Sequence, residues 1–388
     1  MTNQQNSTYS SNADEPINSA ADAGGQILDS QAQIGESSGD VIIRERKKSR
    51  KKKKNTRKAK SGLPTAARVV IIIVAVLLVF GLGAFAFLQY SIHKGDEQLH
   101  MEHPDIAETG RTIVHDGKTY EYNDNIVAIL VLGKDDERSY GIDRSCSDAN
   151  MLVTMDTETK EMNVISIPRD AMVNVDLYEN GNYVRTGQYQ LATAYGVDVP
   201  TDDAAARNSL KSVSGLLFNL PISRYFVLEF DAVGELSSAV GGVQVEALSA
   251  YPGASFEAGD TVLLEGQSAL MYVKYRDINV DMSAQHRQDR QIQFVRAFLD
   301  KLRTLDAGSL IDLYNTVRQS TYTNLEFSDI TYLISVFLDG TNSNTNYMTI
   351  QGETKLEPDD DGIEREHVYL DENSVMEAAL KAFYTQKG

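Results

Sequence analysis

The feature that most limits this chain is "VVIIIVAVLLVFGLGAFAFL", residues 69–88, which runs for 20 residues without a charge. A helix rising about 1.5 Å per residue over that length matches a hydrocarbon core of about 30 Å. A cleaved signal peptide is the competing reading, but the run is too long for one and begins too far from the N-terminus. A single membrane-spanning helix is therefore predicted over residues 68–90. Immediately before it stands "RERKKSRKKKKNTRKAK", residues 44–60, and no basic cluster follows it. The positive-inside rule then places residues 1–67 in the cytoplasm and everything after Gln89 outside the cell membrane. The basic run sets topology and touches anionic lipid of the bilayer. It is short and lacks a folded reader, so nucleic acid is not an expected partner. Residues 1–40 carry no Lys or Arg and are rich in Ser, Asn, Gln, Ala and Asp, the composition of a disordered tail.

Beyond residue 68 the chain holds 24 Lys and Arg against 48 Asp and Glu, a net charge of −24. General attraction to polyanions is closed to such a domain. Its one cysteine, Cys146, cannot close an internal disulfide, so the outer part relies on its core. Residues 91–122 read as a polar extracellular stalk. From Asn125 onward strands and helices alternate. "NIVAILVLG" is a buried strand by its continuous apolar run, and "ANMLVTMD" with "MNVISIP" flanks the turn "TETK" as a hairpin. Residues 204–220 form an amphipathic helix, and "DAVGELSSAVGG" is a helix ended by glycines. This alternation predicts a three-layer α/β domain over residues 123–305. Two further helices, 326–338 and 372–384, bracket a loop with "EPDDDG", so 306–388 read as a helical extension packed on the domain.

One helix carries an anomaly. In "SAQHRQDRQIQFVRAFLDKL", residues 283–302, Phe294, Val295, Phe298 and Leu302 form an apolar stripe at helical spacing. One turn back, the same stripe runs through Gln291, Arg290 and Arg287. Buried guanidinium groups without anions are very costly, so these arginines must meet either the protein's own carboxylates or a ligand's. Three other clusters could supply the rest of an anion site. Asp135 and Asp136 follow the first strand, and Asp148 precedes the second. Each could be an ordinary turn former, but carboxylates at adjacent strand ends also suit Mg²⁺, whose shell phosphate oxygens and water complete. Arg169 and Asp170 in "SIPRD" project from the sheet's edge, where ligands of open α/β sheets gather, or else form a plain ion pair. Lys274 and Arg276 in "YVKYRD" add two more cations. Arginine's planar fork suits phosphate, and this set reads as a pyrophosphate site as readily as a self-neutralised network. No Gly-x-Ser-x-Gly elbow and no Walker-type loop occur.

Taken in order, "NIVAILVLGKD", "SDANMLVTMDTETKEMNVISIPRD", "LATAYG", "YFVLEFDAVGELSSAVGGVQV", "LLEGQSALMYVKYR" and "RQDRQ" resemble the LytR-CpsA-Psr family over about residues 123–303. The resemblance implies an α/β/α sandwich that binds a polyprenyl-pyrophosphate-linked glycopolymer, with the lipid in an apolar pocket between sheet and helices. It implies transfer of the glycan phosphate to a hydroxyl of peptidoglycan at the surface of a Gram-positive bacterium. By position, Asp135 and Asp148 match the family's Mg²⁺-binding aspartates, and Arg169, Arg276, Arg287, Arg290 and Gln291 its pyrophosphate contacts, with Lys274 and Asp170 beside them. Three departures stand out. Lys274 replaces an arginine common in the family, "SCSDAN" replaces "RSDT", and Ala284 stands where many members have an aspartate that could act as base. Asp277 or Asp281 could serve instead. Two other functions are open on these residues: a pyrophosphatase with water as acceptor, and a non-catalytic lipid-phosphate sensor.

Overall fold

The computed structural model describes residues 65–101, 108–135, 146–277, 279–280, 282–340, 343–359 and 362–387. The N-terminal tail and the basic run lie outside them, as do Asp136 and Asp281. At the centre is a six-stranded mixed sheet. Its order is Thr321–Thr323, Arg224–Glu229, Ile126–Lys134, Ser147–Asp156, Met162–Ile167 and Thr345–Thr349. Strand alternation sorts the apolar side chains between two cores. Ile126, Ala128, Leu130 and Leu132 enter one core with the helices Asp202–Leu216 and Glu372–Phe383. Val127 and Ile129 enter the other, under the helix Phe327–Asp339. The helices Ala232–Ala239, Gln267–Lys274 and Ser283–Leu302 extend that second layer. Covered on both faces, the inner strands need nearly continuous apolar sequence, and every residue of Met162–Ile167 is buried. This is the expected three-layer α/β/α sandwich.

Local signals set the helix ends. The Thr201 side chain accepts the Ala204 N–H and caps Asp202–Leu216, one of the donors that a helix start leaves unmet. The helix Ala232–Ala239 stops at Gly241 and Gly242, with φ of +76° and +84°. A side chain at Gly242 would also strike Leu263, so glycine is required there twice over.

Two expected boundaries are corrected. Residues 91–122 are not a bare stalk. The apolar helix continues without a break as Thr65–Met101, and beyond the lipid-length run it lies against Phe327–Asp339. Ser91, Gly95 and Leu99, spaced i, i+4, i+8, are buried there, a single stripe along one face. Off that stripe the segment is mostly polar, with His93, Lys94, Asp96, Glu97 and Gln98, which is why composition read it as a stalk. Lys94 reaches Glu326 at 3.0 Å, and Ser328 donates to Gln98 Oε1 at 2.7 Å. Higher up the same helix the surface is bare: Leu77 is 65 % exposed and Phe80 73 %, as a lipid-facing surface would be. Among the described residues this is the one helix long and apolar enough to cross a membrane. Farther on, Lys118–Tyr122 pairs with the C-terminal strand Tyr384–Lys387.

Nor are residues 306–388 an extension. Thr321–Thr323 and Thr345–Thr349 form the two edges of the central sheet, and the latter pairs in parallel with Met162–Ile167. Both edge strands are short and rich in Thr and Asn, so no apolar run announces them. The segment around "EPDDDG" closes an antiparallel hairpin, Gly352–Pro358 with Glu364–Leu370.

Gly95 gives a direct test of the docked helix. A Cβ there would stand 2.2 Å from the Ser328 carbonyl oxygen, a backbone atom that cannot step aside. Gly95→Ala is expected to cost about 1–3 kcal/mol, as overpacking does, and to expose the 91–101 segment to protease. Thermal unfolding and limited proteolysis of the full chain in micelles would show it; unchanged behaviour in both would mean that the helix is not docked.

Candidate functional site

The site forms where several strands end together. Ile126–Lys134, Met162–Ile167 and Arg224–Glu229 finish at the edge where Ser147–Asp156 begins, the usual ligand edge of α/β sheets. A β-bulge interrupts the ladder there. Gly133 pairs with Ala149 but Lys134 pairs with Ser147, so Asp148 is the extra residue. A bulge re-aims the side chain it carries, and Asp148 turns into a narrow cleft with about 30 Å³ of free volume.

Two arginines meet on that carboxylate. Arg169, just past Pro168, donates through Nη1 to Asp148 Oδ1. Arg287, from the first turns of the helix Ser283–Leu302, donates to Asp148 Oδ2 at 3.0 Å. Asp170 Oδ1 lies 3.2 Å from Arg169 Nε. The Arg287 side chain is 7 % exposed. Burial pulls its guanidinium below the usual arginine range; Asp148 opposes this, while Arg169 and Arg276 push the same way as burial. An anion entering the cleft would relieve that strain on the charged form.

The helix that carries Arg287 adds its own end. Met282, Ala284 and Gln285 line the cleft, and no side chain caps the helix N-terminus. Uncapped N–H groups and the positive end of a 20-residue helix favour an anion. Gln288 and Gln291 line the cleft from the next turn, Gln288 donating to Ser166 Oγ at 2.7 Å. Gln288 was missed, although Ala284, Arg287, Gln288 and Gln291 form one stripe by spacing alone. Arg276 stands at the rim. Its Nε donates to Ser283 Oγ and its Nη2 to Glu366 Oε2, both at 2.8 Å. Glu366 itself lines the cleft, and nothing in the sequence pointed to it.

Not every expected residue comes to this place. Arg290 donates to the carbonyls of Tyr272 and Tyr275 and to Ser249 Oγ. Those carbonyls end the helix Gln267–Lys274, where backbone acceptors lack partners. Arg290 therefore ties one helix to the end of another, and its assignment to the phosphate is corrected. Lys274 forms a separate pair with Asp135, Nζ to Oδ1 at 2.9 Å. Phe294 and Phe298 stack at 6.0 Å inside the second core, so the stripe below the arginines faces protein. Asp277 accepts from Asn279 in a local turn.

For a divalent cation, the donor chemistry fits. Asp135 follows Lys134 and Asp148 follows its partner Ser147, and both offer hard carboxylate oxygens. Among the described residues no group of three or more His, Cys, Asp or Glu converges. Among the described residues these two carboxylates are the candidate ligands, and Mg²⁺ takes one or two carboxylates when phosphate and water complete its shell.

Fold and site together define a class: an α/β/α domain behind one apolar helix, with a guanidinium-lined anion cleft at the sheet's ligand edge. The LytR_cpsA_psr family model matches residues 89–382, and the chain belongs to that family. The polyisoprenyl-teichoic acid–peptidoglycan teichoic acid transferase TagT of Bacillus subtilis (strain 168) is 26 % identical over 284 residues, 70 % of this chain and 81 % of that protein. A transferase of the same description, TagU of Oceanobacillus iheyensis, is 28 % identical over 234 residues, 58 % of this chain and 67 % of its own. The crystal structure of B. subtilis TagV superposes with a TM-score of 0.53 at 21 % identity, covering 66 % of this chain and 95 % of that one, which shows the shared fold. The enzyme class is that of the transferases.

Removing Asp148 would take from the buried Arg287 its carboxylate and from Arg169 one of its two. Asp148→Ala is expected to destabilise the fold by about 3–5 kcal/mol, the usual cost of breaking a buried pair from one side. Asp148→Asn, which keeps an acceptor, is expected to cost less. Urea unfolding of the full chain in micelles would rank them; equal stability of the alanine variant and wild type would show that the pairing contributes nothing.

Proposed function

We propose that the protein transfers a glycopolymer phosphate from a polyprenyl-pyrophosphate carrier to a hydroxyl of peptidoglycan, outside the membrane of a Gram-positive cell. One observation carries this reading: Arg169 and Arg287 converge on a single carboxylate beside an uncapped helix N-terminus. Such a place suits a group with more negative charge than Asp148 alone. Phosphoryl transfer asks for positioning and charge stabilisation more than for covalent help. The acceptor hydroxyl oxygen bonds to phosphorus, the bond from that phosphorus to the bridging oxygen breaks, and polyprenyl phosphate leaves with the electron pair and takes up the hydroxyl proton. Arg287 and Arg169 lie against the transferred phosphoryl, and Arg276 at the rim steadies the leaving phosphate. Gln291, whose Nε2 donates to the Val273 carbonyl at 3.2 Å, fixes the cleft wall.

Mg²⁺, held by Asp135 and Asp148, would neutralise phosphate oxygens and release the arginines from Asp148. The N-terminal tail would lie in the cytoplasm, with the bilayer around the apolar helix, in keeping with the basic run before it and the bare surface along it.

Full-length protein in proteoliposomes, given lipid-linked glycan and peptidoglycan, should release polyprenyl phosphate and leave glycan bound to the wall polymer. Arg287→Ala should slow this by about 10²–10³-fold, the usual loss for one stabilising donor. Transfer at the wild-type rate would remove Arg287 from the mechanism, and free glycan phosphate as the only product would make the protein a pyrophosphatase. Chelation of divalent ions should abolish transfer, and added Mg²⁺ should restore it; transfer that persists in excess chelator would exclude the two aspartates as a metal site.

A further inference from the structure

A second cavity meets the phosphate cleft at Arg169, which lines both. The wall between them is the hairpin strand Glu364–Leu370. Alternation along it sends Glu366 and Val368 into the cleft, and Arg365, His367 and Tyr369 into the other cavity. The opposite wall is the end of the hairpin Met172–Glu179 and Asn182–Gln190, with Gln188, Tyr189 and Gln190. About 400 Å³ of free volume lies between, within the range of roughly 300–1,000 Å³ that houses a small ligand. The two hairpins are fixed to the cleft. Val368 N donates to the Asp170 carbonyl at 2.8 Å, and Gln190 Nε2 donates to the Glu366 carbonyl at 2.8 Å.

The cavity's chemistry is that of a saccharide site. Amide and phenol groups come from Gln188, Tyr189 and Tyr369, and a carboxylate from Glu357. His367 is 5 % exposed, and its Nε2 lies 2.7 Å from Asp359 Oδ1. A carboxylate only accepts, so Nε2–H donates to Asp359. Nδ1 makes no hydrogen bond. Glu357 Oε2 stands 3.5 Å from it and accepts the Tyr369 hydroxyl at 2.6 Å. A buried ring nitrogen left unmet in a cavity wall asks for a ligand partner, and a sugar hydroxyl, which both donates and accepts, is one.

Charge decides which saccharide. Arg169 and Arg365 face Glu357 and Asp359 here, a balanced set inside a domain with net charge −24 beyond residue 68. A polyanionic polymer gains nothing from it; a neutral, amide-bearing glycan does. We infer that this cavity is the subsite for the acceptor glycan, presenting its hydroxyl past Arg169 to the phosphorus. His367 is a positioning residue there. The assignment of acceptor rests on the transferase reading above; the saccharide site stands apart from it.

The test uses full-length protein in micelles, with wild type beside Gln188→Ala/Tyr369→Ala and His367→Gln. In the first arm, each is sedimented with purified peptidoglycan stripped of anionic polymers. Wild type should co-sediment, and the double variant should bind at least tenfold more weakly. Equal binding of both overturns the site. In the second arm, initial transfer rates are measured against donor and acceptor separately. The acceptor KM should rise about tenfold in the double variant, with the donor KM unmoved; the reverse pattern makes the cavity the donor's glycan site and overturns the assignment. His367→Gln, which keeps a polar side chain, should move acceptor KM more than kcat; a change confined to kcat removes its positioning role. Absence of any transfer by wild type would sink the transferase reading while the sedimentation arm still decides the saccharide site.

Discussion

Everything at the site depends on one carboxylate being shared. Asp148 satisfies two guanidinium groups from elements far apart in the chain, one after the strand Met162–Ile167 and one on the helix Ser283–Leu302. Arg287 is buried against it, and Arg169 shares it while also meeting Asp170, because the interior penalises an unpaired charge heavily. The β-bulge at Gly133 and Lys134 makes the sharing possible by turning Asp148 out of the ladder's rhythm. Charge is thereby stored at the sheet edge in a form that a stronger anion can claim. A phosphate offers several acceptor oxygens where Asp148 offers two, so exchange of partners costs little geometry.

The second organising contact is mechanical. The apolar helix does not end where the lipid-length run ends; it continues to Met101 and lies against Phe327–Asp339. Close approach at Gly95 and the polar ties of Lys94 and Gln98 make the junction stiff. A site whose substrate is carried on a membrane lipid gains from that stiffness. On the function proposed above, the cleft would sit at a set height above the bilayer, and the entropy of searching for a lipid headgroup would be reduced before binding.

Much of the site could be read from residue order. The stripe through Arg287 and Gln291 announced a polar patch on a core-facing helix, and the strand ends carried Asp148 and Arg169 in plain view. Arg290 misled because spacing cannot distinguish an arginine that faces a ligand from one that closes a neighbouring helix; the carbonyls of Tyr272 and Tyr275 become neighbours only after folding. Glu366 and His367 were invisible for a similar reason. They lie on a hairpin with no long apolar run, held beside the cleft by Val368 N donating to the Asp170 carbonyl and by the Gln190 side chain donating to the Glu366 carbonyl.

By itself the sequence determined the apolar helix, the alternation that makes a layered α/β domain and the concentration of cations near residues 274–291. These are local matters of hydropathy, period and charge, and they survive without knowledge of distant partners. Tertiary structure alone decided where the domain begins and ends. Its edge strands Thr321–Thr323 and Thr345–Thr349 are too short and polar to declare themselves, and pairing gives them meaning. It also decided which cation meets which carboxylate, because electrostatic energy at 3 Å depends on position in space, and residues more than a hundred positions apart acquire such a distance only when the chain is packed.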